Sequence, residues 1–297
     1  MRHKPVLVNE VVELLNLKSG MKVVDGTLGD AGHSELILEK ILPNGKLLGI
    51  DMDPEAILRA KKFLESSEEN VVLVRDNFSN FSKILEKEVF KEVDAILFDL
   101  GWSSPQFEER GRGFSFQKDE LLDMRFGGNA QDHENSETAA DILNNASFEE
   151  LEKIFREYGE ERFAKDIAKV VIEKRRKEKF SKTGQLVEIA MDIYKKKGSR
   201  EKIHPATRIL QALRIAVNDE IRILKDVLPQ AVENLKTGGR LAVISFHSLE
   251  DRVVKHFFKS QQNKLKIITK KPVSPGQEEL NENRRARSAK LRVAEKI

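Results

Sequence analysis

Short runs of aliphatic residues alternate with amphipathic stretches through the first hundred residues of this chain, and this alternation limits the fold more than any other feature. MKVVDG, KLLGIDMD, NVVLVRD and VDAILFDL read as strands. Between them GHSELILEKIL, PEAILRAKKFLESS and FSKILEKEVF carry apolar residues at helical spacing. Strands separated by such helices imply a parallel sheet covered by helices on both faces. Ahead of the first strand, EVVELLNL reads as a short amphipathic helix with Asn9 as its N-cap.

The alternation stops near Gly111. From there to Ile203 only helical patterns follow: ASFEELEKIFREYG, EERFAKDIAKVVIEKRRKEK and TGQLVEIAMDIYKKK. The charge reverses within this block, acidic over 118–161 and basic in the runs at 174–179 and 195–202. A long helical region, PATRILQALRIAVNDEIRILKDVLPQAVENL, is expected to break near Pro229. A turn at Gly238-Gly239, a strand RLAVISF, a helix SLEDRVVKHFFKS and two last strands, KLKIITK and AKLRVAEK, complete the chain. The economical reading is a doubly wound α/β domain, 1–110 and 204–297, with an all-helical domain inserted at 111–203.

Composition removes several alternatives. The chain has no cysteine among its 297 residues, so disulfides and thiolate zinc sites are impossible and a reducing cytoplasm is expected. No two of the six histidines have H-x-x-x-H spacing, and no metal is expected. No apolar run approaches the roughly 18 residues of a membrane span, and the N-terminus lacks the apolar block of a signal peptide. A net charge of +3 is no argument for nucleic-acid binding by itself.

In an open α/β sheet, ligands sit beyond the carboxyl ends of the strands. Four stretches converge there. In VVDGTLGDAGHS, Gly26, Gly29 and Gly32 stand three apart and allow a tight turn near a ligand. The G-x-G-x-x-G spacing of dinucleotide sites is missing. Asp25 places a carboxylate where a pyrophosphate would be repelled, and where a ligand bearing an amine and a sulfonium would be attracted. Asp51 ends the second strand, at the distance from the glycines that suits ribose hydroxyls. Phe78, after the third strand, is placed to pack beside a base, with Asp76 near the base's amino group. After the fourth strand, Asp99, Ser103, Ser104 and Gln106 gather a carboxylate, two hydroxyls and an amide. Methyl transfer from a sulfonium to an exocyclic amine needs alignment of nitrogen, carbon and sulfur, without metal or covalent nucleophile. These residues leave open an NAD-dependent oxidoreductase, and also a non-catalytic RNA-binding or ribosome assembly factor built on the same fold.

Ten blocks in order carry a resemblance. They are HKPVLVNEV (3–11), DGTLGDAGHS (25–34), LLGIDMDPEAI (47–57), FDLGWSSPQ (98–106), GFSF (113–116), LDMR (122–125), YGEERFAKDIA (158–168), HPATRILQALRIAVNDE (204–220), GGRLAVISFHSLEDRVVK (238–255) and RARSAKLRVAE (285–295). In these the chain resembles the bacterial ribosomal RNA small subunit methyltransferase H family over nearly its whole length. The resemblance implies a Rossmann-like sheet, mostly parallel with an antiparallel C-terminal edge, binding S-adenosylmethionine, and a helical insertion for substrate recognition. It implies methylation of N4 of a cytidine in 16S rRNA at the decoding centre, near the P site, with the small ribosomal subunit as partner and no DNA. Donor contacts carried over fall on Ala31, Gly32, His33, Asp51, Phe78, Asp99 and Gln106. Ala31 stands where the family usually has glycine, Trp102 where it has a smaller aliphatic residue and Arg284 where it has proline. Ala31 costs little unless its position needs a positive φ.

Ser103 and Ser104 are candidates for orienting the base, and His247 for holding or relaying a proton at its edge. The rival reading of His247 is structural, with Ser248 capping the helix that follows. Arg208, Arg214, Arg284, Arg285 and Arg287 are candidates for tracking RNA phosphates. The lysine-rich runs of the insertion read as solvated faces.

Overall fold

Successive residues of a buried strand point to opposite faces of the sheet, so the strands of this chain supply two cores at once. The computed structural model describes residues 5–101, 111–126, 137–199 and 203–297, without the side chains of Arg284 and Arg285. The chain divides into two units, 1–103 with 221–297 and 104–220.

The first unit holds a seven-stranded sheet of β1 (Lys22–Asp25), β2 (Lys46–Asp51), β3 (Val71–Arg75), β4 (Val93–Asp99), β5 (Leu235–Ser245), β6 (Leu265–Ile267) and β7 (Lys290–Lys296). Their order is β3-β2-β1-β4-β5-β7-β6. The first five pair in parallel, and β7 runs antiparallel to both β5 and β6. The fold class is therefore α/β, mostly parallel with an antiparallel C-terminal edge. On one face Val24, Leu48, Ile96, Phe98 and Val243 meet α4 (Phe81–Lys87), α10 (Glu220–Asn234) and α11 (Ser248–Ser260). On the other, Val23, Leu47, Ala95, Leu97 and Ala242 meet α1 (Val8–Leu15), α2 (Gly32–Ile41) and α3 (Pro54–Phe63). The chain passes from β1 outward to β2 and β3, then returns to place β4 on the other side of β1. That reversal opens a crevice beyond the carboxyl ends of β1 and β4.

Local chemistry moves several expected boundaries. The cap of α1 is Leu7, in the left-handed region at φ 55°, with its N–H given to Glu279 Oε1 at 2.8 Å; Asn9 lies inside the first turn. Pro54 does open α3, behind Asp53, whose carboxylate accepts from the Glu55 N–H. The break expected at Pro229 falls instead at Asp219, at φ 52°, between α9 (Ala206–Asn218) and α10. Proline removes one N–H from α10, and the helix continues through it to Asn234. The expected turn at Gly238 is a bulge inside β5. Pairing with β4 jumps from Val93–Leu235 to Ala95–Arg240 across it.

The second unit is built, among the described residues, from α5 (Ala139–Asn145), α6 (Phe148–Glu157), α7 (Ala164–Lys174), α8 (Thr183–Lys196) and α9. Leu143, Leu151, Phe155, Ile167, Ile189 and Leu213 lie in its core. Reciprocal caps, Thr138 with Asp141 and Ser147 with Glu150, start α5 and α6. Ile209 and Leu213 place α9 in this core, so residues 204–220, expected with the sheet domain, belong to the helical unit.

Candidate functional site

The site is built from the ends of three adjacent strands. β1 ends on Asp25, and the chain turns through Gly26–Ala31 into α2. The turn is tied to both neighbouring strands, by Gly26 N–H to the Leu97 carbonyl and Leu28 N–H to the Ile50 carbonyl, each at 2.9 Å. Gly26 is required by packing, because a Cβ there would lie 2.3 Å from the ring of buried Phe98. Ala31 caps α2 at φ 58°, the positive φ that makes alanine costly, by about 1–2 kcal/mol. The first turn of α2 brings backbone N–H groups that the helix itself cannot satisfy.

Asp51 closes β2 and faces this turn. Its Oδ2 accepts the Gly29 N–H at 2.9 Å and its Oδ1 the Asp53 N–H at 2.8 Å. Burial pushes the carboxyl up to about 6, against the pull of these two donors. The Asp76 N–H donates to the Asp51 carbonyl at 3.1 Å and so draws the end of β3 to the same place. Phe78 follows in a short 3-10 turn begun by Asn77, partly buried with its ring centroid 5.7 Å from that of Phe98.

Asp99 closes β4. Its N–H donates to Thr27 Oγ1 at 2.6 Å, and its Oδ1 accepts the Gly101 N–H at 3.1 Å. Its Oδ2 lies 3.6 Å from His33 Nδ1. Burial pushes this carboxyl up to about 6 as well; His33 and the Gly101 N–H oppose the rise, while Asp25 and Glu250 add to it.

Two expectations are corrected here. Asp25 is 1% exposed, with Oδ2 accepting from Ser34 Oγ at 2.7 Å and Oδ1 from the Thr27 N–H at 3.2 Å. It braces the turn and is not presented to a ligand; the carboxylates at the mouth are Asp51 and Asp99. The His33 ring is also turned inward, with Nε2 2.9 Å from the Val6 carbonyl, so its imidazole is not presented to a ligand. Gly32 lies under Pro5, whose ring would sit 3.0 Å from a Cβ.

His247 is the cap of α11, the role the sequence reading gave to Ser248. Its Nδ1 accepts the Glu250 N–H at 3.4 Å, and Glu250 Oε2 accepts the N–H groups of Phe246 and His247 at 2.7 and 3.2 Å. Its buried Nε2 lies 3.0 Å from Glu250 Oε1 and makes no hydrogen bond among the described residues. Glu250, buried and electrostatically coupled to Asp99, was missed by sequence reasoning. The signal was its place three residues after a polar cap, the spacing of a capping box.

Trp102, Ser103, Ser104 and Gln106 lie outside the described residues, as do the side chains of Arg284 and Arg285. Arg287 is exposed, in a 3-10 turn anchored by buried Ala286 and Ala289. In the helical unit Arg208 is half-buried on α9. Arg214 is only 9% exposed and grips Glu220 with two bonds, at 2.8 and 2.9 Å, so it is committed internally and is not a phosphate contact.

The mouth therefore presents two carboxylates, a helix N-terminus and a partly buried phenylalanine. That set favours a ligand combining positive charge, vicinal hydroxyls and a flat base, and it disfavours a pyrophosphate. Comparison with known proteins agrees with a methylase. The chain is 47% identical over 295 residues to the ribosomal RNA small subunit methyltransferase H of Dictyoglomus thermophilum, covering 99% of this chain and 96% of that one. It is 46% identical over 312 residues to the protein of that name from Carboxydothermus hydrogenoformans, covering 99% and 98%. A crystallised putative rRNA-methylase of Clostridium thermocellum aligns over 100% of both chains at 15% identity, with a TM-score of 0.49. The MraW methylase family matches residues 1–297, without a break at either unit boundary. The chain belongs to the MraW methylase family.

Proposed function

We infer that this protein transfers a methyl group from S-adenosylmethionine to small-subunit ribosomal RNA, at the exocyclic N4 of a cytidine of the decoding centre. The observation that carries the reading is the Asp51 carboxylate, fixed by the N–H groups of Gly29 and Asp53 beside a glycine turn that lacks dinucleotide spacing. The names of the relatives supply the ribosomal substrate. A substrate of that kind puts the reaction in the cytoplasm.

The residues present fit this donor. Asp51 takes the ribose hydroxyls, and Phe78 lies by the adenine. The first turn of α2, at Gly32 and His33, offers N–H groups to the donor's carboxylate. Asp99 takes the cationic side. Held there, S-adenosylmethionine would supply a methyl group on a positively charged sulfur, the thioether being the leaving group when an amine nitrogen takes the methyl. Ser103 and Ser104 orient the base, Gln106 joins the donor contacts, and the proton lost from N4 passes to water. Because a base amine within a helix is out of reach, the target cytidine is taken unstacked. Arg287, with Arg284 and Arg285, tracks phosphates at the rim.

The test is methyl transfer from labelled donor to small subunits isolated from a strain lacking the enzyme, with the product nucleoside mapped by mass spectrometry. A single N4-methylcytidine in 16S rRNA is expected. A methyl group at another atom corrects the chemistry, and RNA binding without transfer would make the protein an assembly factor. Binding of NAD in place of S-adenosylmethionine would make it an oxidoreductase.

A further inference from the structure

His33 has a side chain that the donor contacts leave without a task. It lies on α2, 7% exposed, between two partners. The Val6 carbonyl, 2.9 Å from Nε2, can only accept, so Nε2 carries a proton and the ring is held in one orientation. The other edge, Nδ1, then faces Asp99 Oδ2 at 3.6 Å. An imidazole lone pair and a carboxylate lone pair facing one another at this range repel. A proton between them, on either atom, turns that repulsion into attraction. The remaining Asp99 oxygen is fixed by the Gly101 N–H at 3.1 Å, so both oxygens have set directions.

We propose that His33 is a positioning residue for the methyl donor: aimed by the Val6 carbonyl, it holds Asp99 as an oriented anion for the donor's positive charge. The proposal rests on the reading of the site as an S-adenosylmethionine site. It assigns the imidazole a task separate from the His33 backbone, which lies at the helix N-terminus. It also explains why the segment Pro5–Leu7 is pinned over the first turn of α2, by Pro5 on Gly32 and by Leu7 N–H to Glu279. Other charged groups act on the pair. Asp25 on β1 and Glu250 on α11 both resist ionisation of Asp99, and Asp51 lies close enough to Asp25 to be raised by it. Among the groups named as acting on Asp99, His33 and the Gly101 N–H are those that favour its anion.

Two substitutions divide the imidazole's functions. His33→Gln keeps an amide near the position of Nε2, toward Val6, and places nothing opposite Asp99. His33→Asn keeps a polar N–H near the position of Nδ1 and gives up Val6. S-adenosylmethionine affinity is measured by calorimetry from pH 5.5 to 8.5. A neighbouring cation lowers a carboxylate by one unit or more, so without His33 the pH below which binding fails should move up by about one unit. With Asp99 moved from about 6 to about 7, His33→Gln should therefore bind about threefold more weakly than wild type at pH 6.5, about eightfold more weakly at pH 5.5, and within about twofold at pH 8.5. His33→Asn should show less than half of that displacement. A purely structural role gives losses that do not recover at high pH.

The proposal is overturned by a loss independent of pH, by no loss at all, or by equal displacement in both variants. Should His33→Gln fail to fold, carbon-13 titration of Asp99 and His33 in the wild type decides. Inflections of the two residues at shared pH values support the pair, and independent ones overturn it. Wild type that binds no S-adenosylmethionine at any pH would refute the function proposed above and not this inference.

Discussion

Asp51→Asn separates what the carboxylate does for the fold from what it does for the ligand. In the folded protein Asp51 ionises only near pH 6, against 3.8 for an ordinary aspartate, because it is buried. The sign follows from linkage. The folded state binds the proton more tightly, so the stability associated with Asp51 is fully present below about pH 4 and is lost as the pH rises through 6. The rise from 3.8 to about 6 corresponds to about 3 kcal/mol at neutral pH. Asparagine removes this penalty. It also replaces one acceptor oxygen by an NH2 group, so one of the two N–H groups, Gly29 or Asp53, loses its partner at a cost of about 1–3 kcal/mol. At pH 7 these effects nearly cancel and urea unfolding should give a stability within about 2 kcal/mol of wild type. At pH 4.5 the penalty has shrunk to about 1 kcal/mol, and the variant should be the less stable by up to about 2 kcal/mol. Ligand binding behaves differently. Two hydrogen bonds from ribose hydroxyls to a charged acceptor are worth about 1.5–3 kcal/mol each, so S-adenosylmethionine affinity should fall by roughly 10² to 10⁴. Isothermal titration at pH 7.5 measures it. A Kd within threefold of wild type, in a folded variant, would remove Asp51 from the donor site and refute the reasoning.

Gly26→Ala and Gly29→Ala should differ by mechanism. The first drives a Cβ into the Phe98 ring and should lose about 3 kcal/mol, whereas the second has open space and only the strain of φ 51°, about 1 kcal/mol; equal losses in urea melts would contradict this. Arg214→Ala should lower stability by about 2 kcal/mol, through the Glu220 carboxylate left behind, and leave the salt dependence of RNA binding unchanged. A shallower salt slope with no change in stability would return Arg214 to the RNA contacts. Tyr194→Phe should cost about 1–2 kcal/mol, because the Tyr194 hydroxyl donates to buried Glu161 at 2.7 Å; an unchanged melting curve counts against that bond.

The sheet was legible because its strands are short apolar runs, and hydrophobic periodicity is what fixes strand and face. Asp51 and Asp99 were legible for the same reason: a polar residue ending such a run sits at the carboxyl edge. Whether a carboxylate faces out or in was not legible. Asp25 ends β1 as Asp51 ends β2, yet Ser34, in the first turn of α2, folds back to hold it. Arg214 failed for a similar reason, since a basic residue in a sequence does not disclose a Glu220 beside it. Pro229 misled because one missing N–H does not by itself end a helix, and α10 runs through the proline to Asn234. His247 could be read either as a site residue or as a structural one beside a Ser248 cap, and the backbone of Glu250 had to be placed before His247 itself was visible as the cap.

The order of the strands has a consequence for how the chain is made. β4 is central in the sheet, between β1 and β5, and every residue from Val93 to Phe98 is buried. Its partner β5 begins about 135 residues later in the chain. During synthesis at about 5–20 residues per second, one side of β4 therefore stays without its hydrogen-bonding neighbour for on the order of ten seconds. Over that interval a flat apolar edge is open to pairing with another nascent chain. Conditions that slow translation through the helical segment should thus raise aggregation without changing the stability of the finished protein.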